Sequence, residues 1–398
     1  MTQKRISRRR FLRNLTVTCS CSSLFARPIS ARYASGKTGK NDALADKTNM
    51  EYRLLGKTGL KVSAVSFGVM RLTEPAVLFE ALEMGINYFD TAHSYQRGNN
   101  EKMLGNVLKE YGRKKVFIAT KIPPYSRIFG MNEPKTMETK MEESLRRLKT
   151  DYVDVLFLHN IKDPNWPAQD EMLSFCQKMK KSGKARFVGI SLHTDGKTYV
   201  NTVNQALKTD AYDVILASLN YKSSQEEINA LKRAHRKNVG IVAMKTQAGG
   251  YKRGHSALIN PHQAALRWVL DLNFVDCAIP GMVNRRQLAE NAKVIGMKMG
   301  WSDRKTLAVY YDAIKDRYCL RCGTCKSSCK KAVEIPSIHR SLMYWEGYED
   351  FGLGQTTYQR LSTTENGLTC MSCPTPTCIC KNGIQIPERM RHAHTIFV

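Results

Sequence analysis

The sequence predicts an α/β fold: a parallel (β/α)8 barrel followed by a small, all-helical, cysteine-rich module. Three observations lead there. From about residue 60, short segments rich in β-branched and aromatic residues alternate eight times with helical patterns. The 398 residues, 42% of them hydrophobic, exceed one ordinary domain and suffice for a barrel of roughly 250 residues plus a smaller unit. Eight of the 12 cysteines fall between Cys319 and Cys380, a density that speaks for metal ligation rather than scattered disulfides.

The amino terminus comes first. Ser7-Arg8-Arg9-Arg10-Phe11-Leu12-Arg13 resembles a twin-arginine export signal, followed by a small-residue, moderately apolar stretch from Leu15 to Phe25. Residues 1–34 are expected to be this signal and 35–50 a flexible linker. The competing readings are a disordered basic tail and a mitochondrial-type presequence. Twin-arginine transport carries folded proteins, which suits a chain whose cofactor is inserted before export. The expected destination is therefore the periplasm, with the cytoplasm as the alternative. No run approaches the roughly 20 apolar residues of a membrane span. The net charge of +27 attracts anionic partners, but no nucleic-acid-binding motif accompanies it.

The barrel is expected over residues 51–300. Its strand candidates are Val62–Phe67, Asn87–Asp90, Val116–Lys121, Val153–His159, Arg186–Ser191, Val214–Asn220, Gly240–Lys245 and Val275–Pro280. Helical patterns between them include Thr136–Leu148, Met172–Lys181, Gln225–Arg236 and Pro261–Leu270. An open doubly wound sheet is the alternative on pattern alone, but no Gly-x-Gly-x-x-Gly turn follows the first strand. Cys176 and Cys277 read as core residues.

In parallel barrels the chemistry gathers at the carboxyl ends of the strands. Asp90 ends the second strand, Tyr95 follows it, Lys121 ends the third and His159 the fourth. Singly, each has a bland explanation: a turn cap, a lysine reaching the rim, a hydrogen-bonded core histidine. Together on one rim they point to a site.

At these residues the chain resembles the aldo/keto reductase superfamily. The resemblance rests on Tyr52–Ser63, Phe89-Asp90-Thr91-Ala92-His93-Ser94-Tyr95, Ala119-Thr120-Lys121, Leu158-His159-Asn160, Gly189-Ile190-Ser191 and Ile279-Pro280-Gly281, and it covers roughly residues 51–296. It implies that Tyr95 is the general acid, that Lys121 lowers the phenol pKa, that Asp90 pairs with Lys121, and that His159 orients the carbonyl. It further implies NADP(H) or NAD(H) as cofactor, with Ser191 at the carboxamide and the adenosine end near Gly281–Asn291. The residues carried over there are Gly281, Asn284, Arg285, Arg286, Glu290 and Asn291. The chain departs from the pattern at Leu192, Leu216, Gly281, Met282 and Gln287, so its grip on the nucleotide differs from that of many members.

The remaining module, 301–398, opens with Cys319, Cys322, Cys325 and Cys329, the C-x2-C-x2-C-x3-C spacing of bacterial [4Fe–4S] ferredoxins. Cys370, Cys373 and Cys380 repeat Cys319, Cys322 and Cys329 at an offset of 51 residues. The Ile-Pro pairs Ile335-Pro336 and Ile386-Pro387 keep the same offset. Pro376 stands where Cys325 has its counterpart, and Cys378 is the candidate replacement. Helical patterns over Ser337–Trp345 and Thr356–Ser362 mark an α-helical ferredoxin-like module, and Trp301 is expected to pack it against the barrel. With the leader, this likeness extends to the reductase subgroup carrying a C-terminal 4Fe–4S ferredoxin-type domain and a twin-arginine signal. The expected cofactor is a [4Fe–4S] cluster, two copies on the repeat. One cluster, a zinc site joining Cys319 and Cys322 with Cys370 and Cys373, and disulfides remain the alternatives.

The function expected is hydride transfer between a nicotinamide and a small carbonyl or alcohol, with clusters passing electrons to a redox partner protein. The competing function is a docking scaffold with altered catalysis, whose clusters are structural or relay electrons.

Overall fold

The computed structural model describes residues 50–124, 136–194, 196–252 and 259–398. The leader and linker, with Cys19 and Cys21, lie outside the described residues.

An antiparallel hairpin comes first, β1 (Tyr52–Leu54) with β2 (Lys61–Ser63). Eight parallel strands follow, each trailed by a helix. They run β3 (Phe67–Gly68), α1 (Pro75–Glu83), β4 (Tyr88–Asp90), α2 (Asn99–Tyr111), β5 (Phe117–Ile122), α3 (Met137–Leu148), β6 (Val153–Ile161) and α4 (Asp170–Lys181). The second half comprises β7 (Ala185–Leu192), α5 (Gly196–Thr209), β8 (Val214–Ser218), α6 (Gln225–Arg236), β9 (Gly240–Met244), α7 (Pro261–Leu270), β10 (Cys277–Ala278) and α8 (Arg285–Ala292). The strands lie in chain order, and bridges Val65–Ala278 and Gly68–Gly281 join the two edges. The result is the expected barrel, closed on itself through these bridges.

Two apolar layers hold it. Val155, Phe157, Leu216 and Val242 fill the interior, and Leu55, Leu60 and Val62 of the hairpin close its amino-terminal end. A second layer, including Val188, Ile190, Ile215 and Ile241, packs the strands on the helix ring. Cys176 and Cys277 are buried, as expected of core residues. Helix starts follow local chemistry. Thr136 Oγ1 accepts from Thr139 N, and Ser224 forms a capping box with Glu227.

The expected first strand, Val62–Phe67, divides. Its start belongs to the hairpin, and the barrel strand is Phe67–Gly68. Gly68 is required there because a Cβ would stand 2.8 Å from the Ile279 carbonyl oxygen.

After the barrel come α9 (Trp301–Ile314), α10 (Thr324–Ser328), α11 (Ile335–Glu346), α12 (Phe351–Tyr358), α13 (Leu368–Met371) and α14 (Ile386–Phe397). They have their own core of Val333, Ile338, Leu342, Tyr358, Met390 and Phe397. The helix expected over Thr356–Ser362 lies earlier, at 351–358. Gly352 and Gly354 sit inside it, and Gly354 lets the helix touch the Ser341 carbonyl and Phe397. Trp301 does not pack the segment on the barrel: it is 71% exposed, with Lys305 Nζ over its ring.

These helices rest on the carboxyl-end rim of the barrel. Asn220 Nδ2 donates to Tyr318 Oη at 3.1 Å, and Tyr251 Oη donates to the Arg317 carbonyl at 3.3 Å. Arg71 Nη2 donates to the Tyr348 carbonyl at 2.6 Å and lies over its ring. Gly347 meets Gly249 backbone to backbone, so closely that a Cβ on Gly347 would overlap the Gly249 oxygen. The segment therefore roofs part of the barrel mouth.

Candidate active site

Asp90 at the end of β4 and Lys121 in β5 are both buried, and their strands are neighbours in register. Lys121 Nζ donates to Asp90 Oδ1 at 2.5 Å, to the Thr91 carbonyl at 2.6 Å and to Tyr95 Oη at 3.1 Å. An ammonium has three N–H bonds, and all three are used. Tyr95 Oη thus accepts from Lys121 and keeps its own hydrogen for a ligand. The loop carrying Tyr95 is pinned by Gln96 Nε2, which donates to the Met70 and Leu72 carbonyls at 3.1 and 2.9 Å. Gln96 and Arg97 both take left-handed backbone, φ 48° and 54°.

His159 on β6 stands edge-on to Tyr95, ring centroids 5.9 Å apart. The four expected residues therefore share one site. Burial, helped by the Lys121 and Lys245 cations, holds the His159 pKa well below the ordinary range, so its ring is neutral at pH 7. Burial opposes the Lys121 ammonium, but Asp90 and Tyr95 outweigh it and its pKa rises. Burial raises Asp90 against the pull of Lys121. It also raises Tyr95 more than Lys121 lowers it. The lysine acts in the expected direction, yet the net shift of the phenol is upward because the roof and barrel dry the site. A dry neutral phenol still protonates an alkoxide readily, since the alkoxide is the stronger base.

The sequence reading missed His193, just past β7, whose ring lies 5.5 Å from that of His159. Burial and the nearby cations Lys245, Arg340 and Arg321 hold it neutral too. Its signal was its place two residues after Ser191. His159 Nδ1, His193 Nε2 and Thr194 Oγ1 are buried without partners. Unpaired buried polar atoms at strand ends fit a polar ligand such as a carboxamide or a carbonyl.

The other nucleotide candidates are spread apart. Ser191 is buried and its Oγ accepts from Asn160 N at 2.8 Å. Gly281 completes the barrel closure with Gly68. Asn284 caps α8, accepting from Gln287 N at 2.9 Å. Arg285 and Arg286 are exposed and pair with Glu80 and Glu290, so both guanidiniums are open to a phosphate. Asn291 is buried and accepts from Gln247 Nε2, which ties the β9 loop to α8. Leu192 and Leu216 are fully buried apolar residues with no side-chain hydrogen bond to offer.

The cysteines sort into two sets. Cys319, Cys322, Cys325 and Cys380 line one cavity. Cys370, Cys373, Cys378 and Cys329 stand together, Cys370 and Cys378 each close enough to Cys329 and Cys373 to interact electrostatically. The last cysteine of each motif thus joins the other set, and Cys378 completes the second in place of the missing counterpart of Cys325. Two contacts bring it there. Thr377 Oγ1 donates to the Ser328 carbonyl at 2.6 Å, and Ile379 N donates to Ser328 Oγ at 2.9 Å. This grouping overturns the alternative zinc pairing, since Cys319 and Cys322 do not join Cys370 and Cys373. All ten described cysteines are free. Among the described residues no three His, Cys, Asp or Glu could hold a single metal ion. The donors here are thiols in two groups of four, the ligand chemistry that a [4Fe–4S] cluster takes. Burial pushes the Cys319 thiol up to about 12 and the Cys370 thiol up to about 11, and ligation of a metal is what would deprotonate them. Arg321 N and Asn382 N donate to Cys319 and Cys380 sulfur at 3.3 and 3.4 Å. No described helix is long and apolar enough to cross a membrane.

Comparison with known proteins gives the barrel its relatives. The sequence profile described as Aldo/keto reductase family matches residues 70–257. L-galactose dehydrogenase of Arabidopsis thaliana is 35% identical over 221 residues, 51% of this chain and 67% of that protein. The uncharacterized oxidoreductase YrpG of Bacillus subtilis is 31% identical over 235 residues, 53% of this chain and 71% of that protein. Among solved structures, the aldo-keto reductase AKR11C1 from Bacillus halodurans in its holo form superposes with a TM-score of 0.56. It is 24% identical and covers 65% of this chain and 95% of its own. Its likeness is one of fold.

Proposed function

Because this chain belongs to the aldo/keto reductase family and is an oxidoreductase, we propose that it interconverts a small carbonyl compound and its alcohol at Tyr95. We propose further that its two cysteine sets hold two [4Fe–4S] clusters that exchange electrons with a redox partner protein.

Nicotinamide-dependent reduction is general for the family, and NADP(H) use is typical of it. Ser191, Gly281, Asn284, Arg285, Arg286, Glu290 and Asn291 are the residues that would hold the dinucleotide, which supplies the hydride when bound. The chain's own residues do the rest. Tyr95 gives its hydroxyl proton to the carbonyl oxygen. Lys121 stabilises the phenolate left behind, and Asp90 keeps Lys121 charged in a dry site. Neutral His159 donates a hydrogen bond to the same oxygen as negative charge develops there. In the reverse direction Tyr95 accepts the proton of the alcohol. Cys319, Cys322, Cys325 and Cys380 would hold one cluster and Cys329, Cys370, Cys373 and Cys378 the other; one-electron transfer is what such clusters supply.

The observation that carries the reading is the saturated Lys121 ammonium, which leaves Tyr95 only one direction for its proton. Residues 1–34 would export the folded chain by the twin-arginine route, with 51–300 as barrel and 301–398 as cluster module. Replacing Tyr95 by Phe tests the catalytic assignment: carbonyl reduction should be lost while the iron content holds. Full activity in that variant would remove the assignment.

A further inference from the structure

His339 lies on α11, is 2% exposed, and has both ring nitrogens without a hydrogen-bond partner. It lines the cavity of Cys319, Cys322, Cys325 and Cys380. A buried imidazole with neither nitrogen satisfied costs stability unless something in that cavity accepts from it.

The internal repeat shows that packing does not need a histidine there. Shifting His339 by the 51-residue offset gives Met390 on α14, which starts with the same Ile-Pro pair as α11. Met390 is fully buried in the core that both repeats share. The fold thus places an apolar side chain at this position of one repeat and a hydrogen-bond donor at the other. The first cavity is lined on this side by Ile335, Ile384 and Ile386, with Arg321, Thr324 and Asn382 elsewhere on its wall.

We propose that His339 donates a hydrogen bond to sulfur of the cluster held by Cys319, Cys322, Cys325 and Cys380, and so makes that cluster the easier of the two to reduce. The physical reason is charge. Reduction adds an electron to the cluster, and an N–H aimed at its sulfur stabilises the added negative charge. At the matching position of the second repeat stands Met390, whose thioether has no N–H to donate. His339 is a positioning and tuning residue, and the inference rests on the two-cluster reading above.

The test is a redox titration of the full chain, reconstituted with iron and sulfide and followed by electron paramagnetic resonance. His339→Met installs the residue that the repeat itself uses, so folding is safeguarded, and His339→Gln keeps an N–H donor. In His339→Met one cluster should become harder to reduce, by at least tenfold in its reduced fraction at a fixed poise, which is about 59 mV for one electron. The other cluster should stay put, and His339→Gln should recover part of the shift. Unchanged potentials in His339→Met, or equal shifts of both clusters, would overturn the role of His339. Iron and sulfide content of the unmutated chain reads the cluster assignment separately: a chain that takes up no cluster removes both claims.

Discussion

Lys121 Nζ donates to Tyr95 Oη across 3.1 Å and spends its other two N–H bonds on Asp90 and the Thr91 carbonyl. That one relationship makes an ordinary phenol a directed proton donor. It also makes the lysine structurally expensive to change.

Replacing Lys121 by Met leaves Asp90 buried beside no cation. Breaking such a pair costs about 3–5 kcal/mol. Thermal unfolding should shift down accordingly. The loss should grow as pH rises, because an unpaired buried carboxyl binds its proton more tightly folded than unfolded. A variant as stable as the parent at pH 8 would show that Asp90 is not held by Lys121.

His93 gives the opposite sign. Its ring is fully buried, Nδ1 faces Ser144 Oγ and Arg147, Nε2 faces Glu143, and Lys140 and Glu101 flank the same network. Burial, with Arg147, lowers its pKa from 6.5 to about 4. The unfolded chain therefore binds this proton more readily. Stability is full above pH 6.5 and is lost as pH falls through the window down to about 4, by about 3 kcal/mol at most. Unfolding midpoints measured across that window should fall less steeply in His93→Gln than in the parent chain. Parallel curves would contradict the assignment.

Cys378 is the displaced member of the second set. Cys378→Ser should lower iron from about eight to about four per chain, whereas Cys176→Ser, in the barrel core, should leave it unchanged. Equal iron in the two variants would take Cys378 out of the ligand set.

Arg285 and Arg286 are open at the rim and paired only at the surface, with Glu80 and Glu290. Replacing both by Ala should weaken NADPH at least tenfold while leaving NADH nearly unchanged, read by fluorescence titration of each nucleotide. An equal loss for both would place the 2′-phosphate elsewhere.

Much of this was legible in the residues. The β-branched runs located most of the barrel strands, and Asp90, Tyr95, Lys121 and His159 converge because their strands are neighbours in one closed sheet. Val62–Phe67 misled because its apolar run serves two structures: the hairpin that closes the barrel end and the first strand. The helix at 351–358 was hidden by Gly352 and Gly354, which read as breakers, although Gly354 is where another backbone comes close. The upward shift of Tyr95 could not be read, because it depends on how dry the roofed mouth becomes. His193 escaped because only the closed barrel shows which residue past a strand turns toward His159. Cys378 was visible as a candidate, but its place beside Cys329 depends on the two contacts to Ser328.

The central claim is that Tyr95 is the proton donor of a carbonyl reductase built onto an iron–sulfur module. The direct measurement is single-turnover reduction of a panel of small carbonyl compounds by NADPH, in the reconstituted chain and in Tyr95→Phe, with nucleotide affinity and iron content measured on the same samples. The account predicts a loss of at least a hundredfold in Tyr95→Phe, with nucleotide affinity and iron unchanged. Reduction at the parental rate in Tyr95→Phe would contradict it.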